Sequence, residues 1–260
     1  MINNYELYNE DKNIYPIVIS IPHSGTYVPE YIREKMLPEV VLTNTDWFLP
    51  ELYSFFKDMG VTVIASNISR YVIDLNRSLE LKSGGDYHNL VYGYTTQGKP
   101  IYKNKIETED VKRRIEDYYI PYYNMLDKLL TDKCMNFQQV LLLDMHSFFK
   151  NFSEVECGDI ILSDRDHITS KKRFFNSLME ELNKQNYIVT DNSIKGGNIT
   201  RHFAHSHNNR VNTIQMELRY RAYIDDRYFG NEIVTQWNPC IYDDAKLRLQ
   251  HAFMEFLKDL

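Results

Sequence analysis

Short apolar runs alternate along this chain with segments of helical periodicity, and this alternation constrains the fold more than any other feature. The apolar runs are too short for helices and are rich in β-branched residues or leucine, which predicts buried strands. They span residues 16–21, 61–65, 139–144 and 211–218, with weaker candidates at 158–163 and 187–190. The helical segments are Trp47–Met59, Thr108–Leu130 with a break point at Pro121, the stretch around Phe174–Leu182, and Asp244–Leu260. This order predicts an α/β fold of three layers, with a mixed, largely parallel sheet between helices on both faces.

In sheets of this kind, ligands bind beyond the carboxyl ends of the strands. His23, His146 and Glu217 each come at or just past the end of a predicted strand. We therefore expect these three side chains to gather at one edge of the sheet and to form a functional site there.

Length and composition narrow the class of protein. The 260 residues contain no internal repeat and no Pro/Gly-rich linker, which predicts one domain over residues 1–260. The formal net charge of −6 argues against a nucleic-acid partner. The cysteines, Cys134, Cys157 and Cys240, are widely spaced and fit a reducing compartment. The polar N-terminus does not resemble a signal peptide and the apolar runs are too short to cross a bilayer, so we expect a soluble, cytoplasmic protein without a membrane partner.

Two histidines stand where metal ligands would be expected. His23 lies in a Pro-His-Ser-Gly turn straight after the first apolar strand. His146 ends a D-x-H segment with Asp144, and these two side chains leave the same side of an extended chain. Such a carboxylate can accept the second ring N–H of a ligating histidine and fix its tautomer. A catalytic zinc needs about three His, Asp or Glu ligands. These histidines would supply two of them, and a purely structural role for each stays open.

The remaining metal ligand and the general base are sought among the carboxylates. Asp46 is the best candidate for the third ligand, although an Asp directly before a helix is also a common N-cap. Glu217 closes an apolar strand, where a carboxylate is seldom buried without a partner. Beside a metal it would act as general base and then as proton donor. The alternative is a structural pair with Arg219 or Arg70.

Residues 69–77 carry candidate groups for binding an anion. Arg70 and Arg77 flank an apolar stretch, and Asn76 with Arg77 offers planar, multi-donor recognition of a carboxylate. The alternative is an Arg–Asp pair on the surface, which contributes little to stability.

The stretch before the last predicted strand contains two weaker candidates. A glycine turn presents Thr200 and Arg201, either of which could contact a substrate. His202, His205 and His207 form an H-x-x-H-x-H cluster that could bind a metal. Their polar surroundings predict an exposed loop instead.

Taken together, six stretches of this chain resemble the N-formylglutamate amidohydrolase family. They are IPHSGTYVPE, TDWFLPELY, SRYVIDLNR, LLLDMHS, KGGNITRHFA and IQMELR, in this order over most of the chain. That family is in turn similar to the zinc carboxypeptidases and to aspartoacylase. The resemblance implies a zinc carboxypeptidase-like (phosphorylase/hydrolase-like) fold. It also implies hydrolysis of the N-formyl, or another small N-acyl, amide of an acidic amino acid, most directly N-formyl-L-glutamate.

The resemblance also implies roles for single residues. His23 and His146 would be zinc ligands, Glu217 the general base and Arg70 the group that stabilises the oxyanion. Asn76 and Arg77 would hold a substrate carboxylate.

At one metal ligand, this chain departs from the pattern of the carboxypeptidases and aspartoacylase. Carboxypeptidases and aspartoacylase have a Glu three residues after the first His, where this chain has Thr26. Within the amidohydrolase family, the TDW motif makes Asp46 the replacement. One zinc per chain is implied, with another divalent ion as an alternative. Two other functions remain open: hydrolysis of a different N-acyl amino acid or short peptide, and metal binding without catalysis.

Overall fold

The computed structural model describes residues 3–79, 90–149 and 158–260. Within these residues the strands are β1 (Tyr5–Tyr8), β2 (Ile17–Ile21), β3 (Thr62–Ser66), β4 (Val140–Phe148), β5 (Ile160–Ser163), β6 (Val189–Asp191) and β7 (Val211–Arg219). They form one sheet in the order β1-β3-β2-β4-β7-β5-β6.

The sheet is mixed and largely parallel, as predicted. The central strands β3, β2, β4 and β7 run parallel to one another. β1 is antiparallel to β3, and β5 is antiparallel to β7 and parallel to β6. The edge strand β1 was not predicted, because four half-buried residues give too short a pattern to recognise. The parallel direction brings the carboxyl ends of β2, β3, β4 and β7 to one edge of the sheet.

The helices are α1 (Glu30–Arg33), α2 (Leu49–Leu52), α3 (Phe55–Met59), α4 (Thr108–Arg114), α5 (Ile120–Asn136), α6 (Lys172–Lys184), α7 (Asn198–Phe203), α8 (Ser206–Asn209) and α9 (Pro239–Phe256). Short 3₁₀ turns follow β7 at Tyr220–Ala222 and α9 at Leu257–Asp259. The single helix predicted over Trp47–Met59 is instead two short helices, α2 and α3, and begins only at Leu49, because Phe48 has a left-handed φ of 61°.

The helix predicted over Thr108–Leu130 continues past Pro121. A π-helical segment, Ile115–Tyr119, joins α4 to α5, and the N–H of Ile120 bonds to the carbonyl of Ile115. Since Pro121 has no N–H to donate, a widened turn just before it lets the helix continue without an α-helical bond at that position.

Side chains of the central strands alternate between two apolar layers. One layer packs Ile19, Leu143 and Met216 against helices α2, α3, α6 and α9. The other packs Val18 and Leu142 against helices α1, α5 and α7. The predicted three-layer arrangement, with helices on both faces of the sheet, is therefore confirmed.

The structure also bears on the predictions about membrane-spanning segments and about the cysteines. Among the described residues, no helix is long and apolar enough to cross a membrane. Cys134 is buried and Cys240 is exposed, both as free thiols, whereas Cys157 lies outside the described residues.

Candidate active site and metal centre

His23 lies just past β2 and is buried, with 2% of its surface exposed. Its Nε2 lies 2.9 Å from Oδ1 of Asp74, and its Nδ1 lies 3.9 Å from Oδ2 of Asp46. The turn needs glycine at Gly25, because a Cβ there would lie 2.2 Å from the backbone carbon of Asn67. This close approach packs the turn after β2 against the chain that leaves β3.

His146 lies inside β4, which runs four residues further than predicted. Its Nε2 lies 2.8 Å from Oδ2 of Asp144, and its Nδ1 lies 3.0 Å from Oδ2 of Asp46. The expected D-x-H pair is therefore formed, on the same side of an extended strand.

Asp46 does not cap the helix that follows it. The N-cap position of α2 is Phe48, with no side-chain cap bond, and the Asp46 carboxylate lies between His23 and His146 instead. The N-cap alternative is thus excluded for this residue.

The side chains of His23, Asp46 and His146 form a donor set that fits a divalent metal. One ligand atom from each lies within 4.8 Å of the others, and all three residues are buried. Two imidazole nitrogens and a carboxylate oxygen suit zinc, which leaves one position for water. Each histidine also has a carboxylate on its outer nitrogen, the arrangement that orients metal-ligating imidazoles.

Burial and neighbouring charges shift the pKa values of the groups in this site. Burial lowers the pKa of His23, and the Arg70 cation lowers it further. Burial also lowers the pKa of His146, but Asp144 and Asp46 outweigh it and hold that pKa well above its usual range. Burial raises the pKa of Asp74, but His23 and Arg70 outweigh it and hold that pKa well below its usual range. A neutral His23 with its proton on Nε2 would direct the Nδ1 lone pair to the centre.

Asp74 contacts His23 in the candidate site, although the sequence analysis assigns it no role. Oδ2 of Asp74 accepts hydrogen bonds from Arg70 at 2.8 Å and from Tyr92 at 2.5 Å. Oδ1 of Asp74 also accepts the N–H of Asn76 at 2.8 Å. The Arg–Asp pair considered from the sequence therefore exists, but it is buried beside His23. The sequence feature that could have indicated Asp74 is its position four residues after Arg70, in a segment that already contains several candidate binding residues.

Asn76 is buried and its amide is used within the protein. Its Nδ2 lies 3.1 Å from Oδ2 of Asp144, and its Oδ1 accepts the N–H of Ile199 at 2.8 Å. A Cβ on Gly197 would lie 2.2 Å from Asn76 Nδ2, so this glycine gives the asparagine its space. Asn76 lines the cavity while holding Asp144 in place.

Glu217 faces His146 across the pairing of β7 with β4. Its Oε1 accepts a hydrogen bond from Nε2 of Gln215 at 2.8 Å, and Gln215 accepts the N–H of Gly197 at 2.6 Å. Burial raises the pKa of Glu217 to about 7, against the opposing effect of His146. Such a pKa suits a general base near neutral pH. Gln215 was not singled out from sequence, although its position two residues before Glu217 placed both on one side of the strand.

These groups surround a cavity of about 390 Å³ at the carboxyl ends of the central strands. Arg70, Arg77 and Lys195 contribute cations to its lining, and Phe148 and Phe149 contribute apolar surface. An acidic chain thus has a locally cationic pocket of a size suited to a small molecule.

The structure does not bring Thr200 and Arg201 to this cavity. Residues 198–203 form α7 rather than a loop, and the buried Thr200 hydroxyl donates to the carbonyl of Gly197 at 2.9 Å. Arg201 donates to Oδ1 of Asn198 at 3.0 Å and lies beside a separate pocket with Tyr119 and Tyr123.

The three histidines of the H-x-x-H-x-H cluster do not converge. His202 packs edge-on against Tyr123, at a centroid distance of 5.2 Å. Nε2 of His205 lies 2.8 Å from the Ile168 carbonyl oxygen, and Nε2 of His207 lies 2.9 Å from the Thr131 hydroxyl. Among the described residues, only His23, Asp46 and His146 form a group suited to a metal ion.

The three-layer α/β fold thus holds a buried His–Asp–His group that could bind a metal ion, with the Glu217 carboxylate nearby. The family model for N-formylglutamate amidohydrolase matches residues 15–224. The chain therefore belongs to the N-formylglutamate amidohydrolase family, and it is a hydrolase that acts on an amide bond.

Two curated relatives agree with this assignment, and a solved structure has the same fold. The chain is 28% identical to the N-formylglutamate deformylase of Pseudomonas putida over 224 residues, covering 81% of this chain and 82% of the relative. It is 26% identical to the N-formylglutamate deformylase of Pseudomonas aeruginosa, covering 82% and 83%. The crystal structure of N-formylglutamate amidohydrolase from Ralstonia eutropha JMP134 has the same fold, with a TM-score of 0.81, 24% identity and 99% of each chain covered.

Proposed function

We propose that this chain hydrolyses N-formyl-L-glutamate to glutamate and formate, with one zinc ion held by His23, Asp46 and His146. The observation that carries the proposal is a single cavity in which this buried donor set stands opposite Glu217. The names of the relatives support the substrate, and the cationic lining suits its carboxylates.

The protein's own residues would move the protons of the reaction. A bound zinc ion would supply Lewis acidity, lowering the pKa of a coordinated water and polarising a carbonyl oxygen. Glu217 accepts a proton from the attacking water as the new C–O bond forms at the formyl carbon. It then returns that proton to the departing amine nitrogen as the C–N bond breaks, which leaves formate and glutamate. Gln215 holds one carboxylate oxygen of Glu217 at 2.8 Å, which fixes the orientation of the base.

Arg70 and Arg77 would bind the negative charges of the reaction. Arg70 lines the cavity, and its buried Nε has no hydrogen-bond partner among the described residues. The Arg70 guanidinium at the cavity would stabilise the developing oxyanion, an interaction that typically contributes about 3–4 kcal/mol. Arg77 is exposed at the cavity wall and would pair with a substrate carboxylate. Asn76 also lines the cavity and supports Asp144 from within.

Formate release from N-formyl-L-glutamate tests the proposal, with zinc-loaded and chelator-treated protein assayed in parallel. N-acetyl-L-glutamate and N-formyl-L-glutamine serve as matched probes of the acyl group and of the side-chain carboxylate. We expect chelator-sensitive release, fastest with N-formyl-L-glutamate. If the zinc-loaded protein hydrolyses another acyl amino acid faster, that compound replaces N-formyl-L-glutamate as the proposed substrate. Release that the chelator does not reduce would contradict the proposed metal dependence.

We also propose that the protein acts in the cytoplasm. The free thiols of Cys134 and Cys240 fit a reducing compartment. Localisation of a tagged chain in its native cell tests this, and recovery outside the cytoplasm would contradict it.

A further inference from the structure

The loop that carries Asp46 has no regular secondary structure, yet it is buried. Residues 41–46 are neither helix nor strand, while Thr45, Asp46 and Trp47 are only 2%, 2% and 6% exposed. A buried loop leaves backbone carbonyls that need hydrogen-bond partners, which is why loops usually run over the surface. The partners of this loop therefore show what holds the carboxylate in place.

Each of the five consecutive carbonyls from residue 44 to residue 48 accepts a hydrogen bond from a side chain. The pairs are Asn44 with Arg70 at 3.3 Å, Thr45 with Tyr220, Asp46 with Ser24 at 2.7 Å, Trp47 with Tyr223 at 3.0 Å, and Phe48 with Tyr242 at 3.2 Å. All five donors lie at least 22 positions along the chain from the carbonyls that they bond, so tertiary contacts rather than local ones fix the loop.

Two of these donors flank Asp46 and come from a single turn. Tyr220 and Tyr223 bond the carbonyls on either side of the ligand, and both follow directly after β7. Glu217 lies on the same strand, three residues before Tyr220. One strand end thus holds both the general base and the loop that carries a metal ligand.

The two hydroxyls are suited to permanent donation. Both tyrosines are buried, with 3% and 0% of their surfaces exposed. Burial, reinforced by the nearby Asp46 carboxylate, raises the pKa of Tyr220 well above its usual range. Burial and Tyr220 do the same for Tyr223. The loop ends need such support, because Asn44 and Phe48 both hold left-handed φ angles, of 59° and 61°.

We propose that Tyr220 and Tyr223 are positioning residues that set the place of the Asp46 carboxylate relative to Glu217. Neither tyrosine lines the cavity, and both act through the carbonyls of Thr45 and Trp47. This inference rests on the proposed function, in which Asp46 is a metal ligand.

The test compares Tyr220→Phe and Tyr223→Phe with Tyr187→Phe. Tyr187 is a matched control, because its buried hydroxyl donates to the carbonyl of Ala245 at 3.3 Å, outside the cavity lining. Cobalt-substituted protein gives an absorption spectrum that reports ligand geometry, and chelator competition gives the metal dissociation constant. We expect roughly a 10- to 100-fold weaker affinity and an altered spectrum in the two site variants, as for other residues that orient metal ligands. Tyr187→Phe should lower only the unfolding temperature.

If folded Tyr223→Phe protein binds cobalt within twofold of wild type and has an unchanged spectrum, the inference is overturned. This holds even if Tyr220→Phe does not fold. Wild-type protein and Asp46→Asn separate this outcome from a failure of the proposed function. If wild type binds cobalt and Asp46→Asn does not, only the tyrosine variants decide the inference. If wild type binds no cobalt or zinc, or if Asp46→Asn binds as tightly as wild type, both the ligand assignment and the inference fall.

Discussion

The two ends of the central parallel strands use polar residues in opposite ways. At the carboxyl ends, His23, Asp46, His146 and Glu217 face one another around a cavity. At the amino ends, three polar side chains each contact a separate backbone carbonyl. Lys133 donates to the Lys12 carbonyl at 2.5 Å, Arg210 donates to the Cys134 carbonyl at 2.6 Å, and His205 contacts the Ile168 carbonyl.

This difference shows that strand direction, rather than spacing along the chain, brings the candidate metal ligands together. The spacing of His202, His205 and His207 suggests a metal site, but each ring has a separate partner. His23 and His146 are 123 positions apart in the chain, yet their ring centroids lie 4.9 Å apart because β2 and β4 are parallel neighbours.

The largest effect is expected from removing a histidine at the carboxyl end. His146→Ala should lose stoichiometric metal binding, since it removes one of the three proposed ligands and one polar partner each of Asp46 and Asp144. His207→Ala, at the amino end, should bind metal as wild type does. Metal content after gel filtration measures both variants, and equal content in the two would break the comparison.

Glu217→Gln should bind metal normally but lose about 10²- to 10⁴-fold in turnover, because a general acid–base group contributes roughly that much. Glu181→Gln is the control, because Glu181 is also a buried carboxylate but pairs with Lys184 outside the cavity. Initial rates of formate release at saturating substrate measure the effect. Turnover within threefold of wild type for Glu217→Gln would exclude it as the base.

Asp74→Asn should weaken metal affinity by about 10- to 100-fold, because an amide orients His23 less well than a carboxylate does. Asp164→Asn changes an equally buried carboxylate, bonded to Ser170 and Asn192, and should leave the affinity unchanged. Chelator competition gives both constants. A similar loss in both variants would indicate a general effect on the fold rather than on the site.

The smallest effect concerns stability at the amino end. Burial lowers the pKa of Lys133 to about 8 from 10.5, so the unfolded chain binds this proton more tightly than the folded chain. The resulting penalty is complete below pH 8 and disappears as the pH rises towards 10.5. Lys133→Met removes this penalty but also loses the hydrogen bond to the Lys12 carbonyl, so we expect a net gain of about 1 kcal/mol near pH 7.

Urea unfolding at pH 7 and at pH 10.5 measures this gain. The advantage of Lys133→Met should be present at the lower pH and absent at the higher. An equal gain at both values would show that the effect comes from packing rather than from the buried charge.

Much of the fold could be predicted because its signals are local. The buried strands β2, β3, β4 and β7 are continuous apolar runs, and their boundaries fall within a few residues of the prediction, except that β4 extends to Phe148. The short edge strand β1 and the helix α7 were missed. Their sequences are half-polar, and tertiary contacts rather than local propensity decide their conformation.

The site was predictable where a residue stands at a strand end, as His23 does, or pairs within the strand, as His146 does. Asp74 could not be assigned, because its contact with His23 depends on how the chain after β3 returns to the turn after β2. Thr200 and Arg201 were expected at the cavity because a glycine turn appears exposed. The structure places them on α7, with Thr200 fully buried.

The position of bound zinc in a crystal soaked with the metal tests the central claim most directly. Anomalous difference density collected at the zinc absorption edge should show one peak, within bonding distance of Nδ1 of His23, Oδ2 of Asp46 and Nδ1 of His146. A peak at His205 or His207 instead, or no peak in crystals of protein that hydrolyses the substrate, would contradict the account.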